Sequence, residues 1–301
     1  MSELINAFLQ RANQVLEKLE PLLPTPATTV DWETVQAASW QRKGNSSFFR
    51  PIALSADIQL ADLLGVDQQR EQLQRNTLQF MRGYPANHAL LWGARGTGKS
   101  SIVRALLAAY AAQGLRLIEV ERNELADLPF IVESLAGLPQ HFIVFCDDLS
   151  FEAGEGDYRI LKSVLDGSLE RAPDNVLLYA TSNRRHLLPE QHSDNQNWQH
   201  GDGGELHPSE AVEDKIALSD RFGLWLSFYP FSQDHYLAVV QHWIAHYGEP
   251  AQLSWQFTDA LAKEAISWAQ ARGNRNGRCA AQFAKQWVGL QLLEQKAYPL
   301  Y

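Results

Sequence analysis

Cysteine and methionine are scarce, two of each in 301 residues. Cys146 falls inside an apolar run and Cys279 in a stretch of helical periodicity. A disulfide framework is therefore excluded, and the reduced thiols of a cytoplasmic protein are expected. Long apolar runs are missing as well, since nothing approaches the roughly 18 uninterrupted apolar residues of a membrane span. The opening stretch, MSELINAFLQRANQ, carries acidic and amide residues where a leader carries basic ones, so neither a leader nor a membrane partner is expected. Basic residues are in the minority: 26 Lys and Arg against 35 Asp and Glu give a net charge of −9. That deficit argues against a general nucleic-acid coat, whose affinity comes from neutralising phosphates, and leaves only local basic clusters. No internal repeat is present.

What is present is concentrated in residues 87–107, NHALLWGARGTGKSSIVRALL. The apolar run Ala89–Trp92 reads as a buried strand and the residues after Gly98 carry helical periodicity. Between them lies the spacing G-x-x-x-x-G-K-S: Gly93, Ala94, Arg95, Gly96, Thr97, Gly98, Lys99, Ser100, followed by Ser101. Glycines at these positions allow a tight turn whose successive N–H groups face phosphate oxygens. Lys99 would neutralise β- and γ-phosphates, Ser100 would coordinate Mg²⁺, and the helix N-terminus favours the same anion. The Gly96–Gly98 pair lacks the third glycine of a dinucleotide fingerprint. These residues specify a nucleoside triphosphate, and no N-K-x-D-like guanine reader accompanies them.

Downstream, strands alternate with helices, which implies a parallel sheet with crossover helices. Strands are expected at 115–120, 142–146, 176–180 and 224–228. Helices are expected at 60–83, 100–113, 129–136 and 157–171, then at 232–247, 258–271 and 277–295 in an all-helical tail. In front, helices are expected over 2–20 and 31–43, with 44–58 irregular. Residues 191–208 read as a polar loop whose His192, His200 and His207 lack metal-ligand spacing.

The strand 142–146 runs into Asp147 and Asp148. Asp147 would hold the Mg²⁺ shell opposite Ser100, and Asp148 would polarise the attacking water. Glu152, with its longer reach, is the second candidate for the base. The strand 176–180 leads to Asn183, suited to orienting a water or touching a γ-phosphate. Arg184, Arg185 and His186 read as a solvated basic turn. Arg221 precedes the last strand, where an ion pair with Asp220 is its alternative role. Arg278 lies in ARGNRNGRCAAQF at a helix start, with Arg275 in reserve.

The segments GARGTGKSS, FCDDLSFE, YATSNRRHL, ELHPSEAVEDKIALSDRFGLWLSFYPF and GRCAAQF resemble a bacterial family of predicted AAA+ ATPases without an established biological role. The Asp-Asp pair and SDRFG also resemble the bacterial replication initiator and its relatives. The resemblance spans about residues 60–295. It implies an α/β P-loop parallel sheet with flanking helices and a C-terminal helical lid. It also implies that Lys99 and Ser100 are Walker A, Asp147 and Asp148 Walker B, Asn183 sensor 1, Arg221 an arginine finger and Arg278 sensor 2. One departure stands out, because most AAA+ proteins carry Glu where this chain has Asp148. The resemblance leads to the expectation of an ATPase using ATP and Mg²⁺, a homo-oligomer joined through Arg221, and an unspecified protein or nucleic-acid client. A nucleotide-gated loader with little turnover is the alternative. The expected divisions are 1–58, helical; 59–230, the nucleotide-binding core; and 231–301, the lid.

Overall fold

The structure is a computed structural model that describes Arg11 and residues 30–44, 46–53, 58–151, 157–166, 173–184, 187, 199–200, 206–207 and 218–295. Strands β1 (Ala37–Lys43), β2 (Ser46–Pro51), β3 (Ala89–Gly93), β4 (Leu115–Glu119), β5 (His141–Cys146) and β6 (Val176–Ser182) precede a separate two-residue ribbon, β7 (Gln199–His200) with β8 (Leu206–His207). With β9 (Leu224–Phe228), the first six make one sheet in the order β2-β1-β4-β5-β6-β3-β9. All neighbours in it are parallel except β1 and β2. The helices are α1 (Asp67–Met81), α2 (Lys99–Tyr110), α3 (Leu128–Leu135), α4 (Asp157–Asp166), α5 (Gln233–Gly248), α6 (Asp259–Ala271) and α7 (Gly277–Gln295).

The central strands are apolar on both faces because both are covered, as parallel sheets require. Leu90, Val144, Leu178 and Ala180 face one side, where Leu128, Ile131 and Leu135 of α3 and Leu161 of α4 pack against them. The alternate residues Leu91, Ile143, Phe145 and Tyr179 face the other, against Leu73 and Phe80 of α1 and Ile102 and Leu106 of α2. Each fully buried Leu or Phe contributes about 1.5–3 kcal/mol. A third cluster, including Tyr236, Ile244, Ala265, Ala280 and Phe283, binds α5, α6 and α7 into a small bundle of their own. Among the described residues no helix is long and apolar enough to cross a membrane, and Cys146 and Cys279 are buried and unbridged.

The front of the chain differs from expectation. The residues 37–43 that were to be helical form β1, and 46–51, expected to be irregular, form β2; the hairpin extends the main sheet past β4. The reason is local and tertiary together. Gly44, with φ at +60°, turns the chain just after Lys43, which pairs with Ser46. Trp40 then packs edge-on against Phe49 across the pair, at 4.8 Å between centroids. Its indole Nε1 donates to Asp127 Oδ2 at 2.9 Å. The helix expected over 2–20 lies outside the described residues except for Arg11, as does most of the 191–208 loop, in which β7 and β8 form the short ribbon.

Arg116 locks the hairpin edge to the rest of the sheet. Although it sits on β4 and is only 6% exposed, its guanidinium donates to four carbonyls. These are Trp32 at 2.6 Å, Leu115 at 2.8 Å, Ala111 at 2.9 Å and Glu33 at 3.2 Å. Removing it orphans those acceptors, so Arg116→Met should lower unfolding stability by about 2–4 kcal/mol in urea titration. A loss below about 0.5 kcal/mol would contradict this account of the edge.

Candidate functional site

The site is built at the carboxyl ends of β3, β5 and β6, which are adjacent in the sheet. The chain leaves β3 at Gly93, loops through residues 94–98 and enters α2 at Lys99. Gly93, Gly96 and Gly98 have φ values of +128°, +75° and +104°, which side-chain-bearing residues seldom adopt. A Cβ on Gly93 would lie 2.0 Å from the Phe228 carbonyl oxygen, so β9 also demands glycine there. Thr97, buried, donates to the Ala94 carbonyl at 2.8 Å and tightens the turn from within.

Lys99 is 7% exposed and folds back along the loop. Its Nζ donates to the carbonyls of Gly93 and Ala94, both at 2.7 Å, and to Asn183 Oδ1 at 3.2 Å. Burial lowers its pKa from 10.5 to about 8, a fall partly countered by Asp147 and Asp148 and reinforced by Arg95 and Arg278.

Ser100 Oγ donates to Asp147 Oδ1 at 2.6 Å, joining the first turn of α2 to the tip of β5. Thr181 on β6 donates to the same oxygen at 2.5 Å and accepts the backbone N–H of Asp148 at 2.9 Å. Asp148 itself has a left-handed backbone, φ +53°. Its side chain accepts from Asn183 Nδ2 and lies 3.7 Å from the Arg95 guanidinium. Backbone bonds from Leu149 to Thr181 at 2.7 Å and Phe151 to Leu187 at 2.8 Å hold the strand exit in place.

The lid bundle covers the loop. Arg278, in the first turn of α7, donates its backbone N–H to the Gly96 carbonyl at 3.1 Å, and its side chain lines the cleft with Lys99. The cleft encloses about 710 Å³. One end is polar, with Lys99, Asp147 and Asn183; the other is apolar, with Ile58, Leu64, Val239, Trp243 and Tyr247.

The geometry thus gathers Arg95 through Ser101, Asp147, Asp148, Asn183 and Arg278 into one cleft, with Gly93 and Ala94 beneath it as carbonyl partners of Lys99. Arg221, half-buried just after the helical residues 218–220, is not among the residues lining that cleft. Glu152 lies outside the described residues. Sequence reasoning missed Thr181 and Asn276. Thr181 stands two positions before Asn183 on a fully buried strand, and a hydroxyl amid apolar residues at a strand tip was the available signal.

A model of the DUF815 family, described as a protein of unknown function, matches residues 33–291. The chain belongs to that family. No curated protein matches it. Among solved structures, a variant of Thermotoga maritima RuvB is similar with a TM-score of 0.51 and 16% identity, over 79% of this chain and 71% of that one. The Aeropyrum pernix ORC1 protein, solved in complex with DNA, is similar with a TM-score of 0.52 and 16% identity, over 81% of this chain and 67% of that one. The fold of this DUF815 member is therefore that of the AAA+ ATPases, a mostly parallel sheet with flanking helices and C-terminal helices.

The Lys99 environment gives a direct check that needs no ligand. In the free protein its ammonium should titrate near pH 8, followed by NMR of ¹⁵N-labelled lysine. Asp147→Asn, which removes the larger of the two supporting charges, should lower that value further. A midpoint near the ordinary lysine value would mean that the side chain is solvated rather than folded along the loop.

Proposed function

We propose that this DUF815 member binds ATP with Mg²⁺ in the cleft, hydrolyses it, and uses the cycle to remodel or move a macromolecular client. The observation that carries the reading is the convergence of Lys99, Ser100 with Asp147, and Asn183 with Asp148 on the loop ahead of α2. We take residues 59–230, joined by the β1–β2 hairpin, as the nucleotide-binding unit and 231–301 as the lid.

The donor set fits the ion. Ser100 Oγ and Asp147 Oδ1, 2.6 Å apart, are hard oxygen donors of the kind Mg²⁺ shares with phosphates and water. When bound, Mg²⁺ neutralises charge shared between β- and γ-phosphate oxygens. The chain's own residues do the rest. Lys99 would exchange its loop carbonyls for phosphate oxygens, whose charge would favour the proton that burial makes easier to lose. Thr181 would keep Asp147 aimed, and Arg278 would reach the same phosphates from the lid. Asp148 would accept the proton of the attacking water with Asn183 orienting it, while Glu152 remains the rival base. The apolar part of the cleft lining suits the base of the nucleotide, and adenine is taken from the family resemblance alone. We place the protein in the cytoplasm, a reading supported by its two buried, unbridged thiols.

A loader or adaptor with little turnover is the second reading. It is favoured by the contacts of Asp148 with Asn183 and Arg95, which already engage that carboxylate. Turnover assayed with and without candidate polymers separates the two.

Arg221 decides whether one chain suffices. It belongs to the approach to β9, the edge strand that flanks β3, and stands outside the cleft walls. We infer that it serves the cleft of a neighbouring copy, where such a guanidinium is worth about 10³–10⁵ in rate. Arg221→Ala should bind ATP almost normally and hydrolyse very slowly. Mixing it with Lys99→Ala, whose intact Arg221 can serve the other chain's cleft, should restore activity in a phosphate-release assay. Absence of rescue, with turnover independent of protein concentration, would refute the trans arrangement.

A further inference from the structure

The first turn of α7 sits directly on the phosphate loop, and one side chain serves both. Asn276 precedes the helix. Its Oδ1 accepts the Cys279 N–H at 2.8 Å, a helix cap of the ordinary pattern. Its Nδ2 donates to the Arg95 carbonyl at 2.8 Å. The next uncapped amide of the helix, that of Arg278, donates to the Gly96 carbonyl at 3.1 Å. Packing enforces the approach. A Cβ on Gly96 would fall 2.7 Å from the Asn276 side chain, and one on Gly277 would fall 3.3 Å from the Gly96 oxygen.

These bonds have a consequence for the loop itself. A trans peptide is planar, with its C=O and the following N–H pointing to opposite sides. Holding the Arg95 carbonyl toward the lid therefore turns the Gly96 N–H away from it. Holding the Gly96 carbonyl does the same for the Thr97 N–H. Among the described residues, neither of these N–H groups has a carbonyl or side-chain partner. They belong to the turn whose concave side would cradle an anion.

We infer that Asn276 is a positioning residue that latches the lid to the phosphate loop and presets the loop amides for an anion, so that the phosphate site is assembled across sheet and lid. The latch concerns the free protein, while its effect on phosphates rests on the nucleotide reading above. Loosening the lid would then weaken phosphate binding, and an occupied loop would in turn hold the lid closed.

The test separates the cap from the latch. Asn276→Ser keeps a hydroxyl able to cap Cys279, since Ser and Asn are comparable at this position, but is too short to reach the Arg95 carbonyl. Asn276→Ala loses both functions. Residue-resolved amide exchange in the nucleotide-free protein should show the Arg278 amide exchanging about fivefold faster in Asn276→Ser, with Cys279 unchanged; the Ala variant should loosen both. The melting temperature of the Ser variant should match wild type, and its affinity for MgATP should fall about fivefold. Unchanged exchange at Arg278 in the Ser variant would overturn the latch, whether or not ATP binds. Faster exchange with undiminished MgATP affinity would overturn the presetting of the loop. Failure of wild type itself to bind MgATP would instead sink the nucleotide reading, and the exchange result would still decide the latch.

Discussion

Ser100 Oγ and Asp147 Oδ1 meet at 2.6 Å, and this hydrogen bond ties the start of α2 to the tip of β5. Everything else in the cleft is arranged with respect to it. The loop must turn tightly so that Ser100 begins the helix beside β5, hence the three left-handed glycines. Asp147 must keep one oxygen fixed, and Thr181 supplies a second hydroxyl to the same atom. Because Thr181 also accepts the Asp148 N–H, the orientation of one carboxylate fixes the backbone of the next. Two carboxylates side by side at one strand tip are thereby given different environments. Asp147 is paired with hydroxyls, and Asp148 with an amide and, more distantly, a guanidinium.

The same loop is gripped from opposite sides. From below, Lys99 and Thr97 occupy the carbonyls of Gly93 and Ala94. From above, Asn276 and the Arg278 amide occupy those of Arg95 and Gly96. With its carbonyls engaged, the loop has its amides left for a ligand. A further link runs from the residues ahead of α1 to the lid, where Asp62 Oδ1 lies 3.0 Å from His242 Nε2. Sheet and lid keep separate apolar clusters, bridged by Ile58, and also meet through polar contacts around the cleft, the arrangement expected of units that shift with ligand state.

Much of this was legible in the sequence, for identifiable reasons. The loop is written in a fixed spacing, and the strands β3 to β6 and β9 are short apolar runs that cannot be solvated. Asp147 and Asn183 stand where such runs turn polar, so their place at strand tips follows. The β1–β2 hairpin was not legible as such. Ala37, Ala38 and Trp40 fit a helical stripe as well as an edge strand, and only the Gly44-Asn45 pair hinted at a turn. Asn276 was hidden for another reason: a helix cap is visible in sequence, but the carbonyl on its other side comes from residue 95. Arg221 could be placed before the edge strand, yet its partner, by this account, lies on a second chain.

The central claim is that the cleft takes MgATP through Lys99. Isothermal titration of MgATP into wild type and Lys99→Ala tests it most directly, because Lys99 is the one lysine bonded to the loop carbonyls among the described residues. The account predicts saturable one-site binding in wild type and its loss in the variant, with both proteins melting as folded chains. Equal affinity in the two would contradict it.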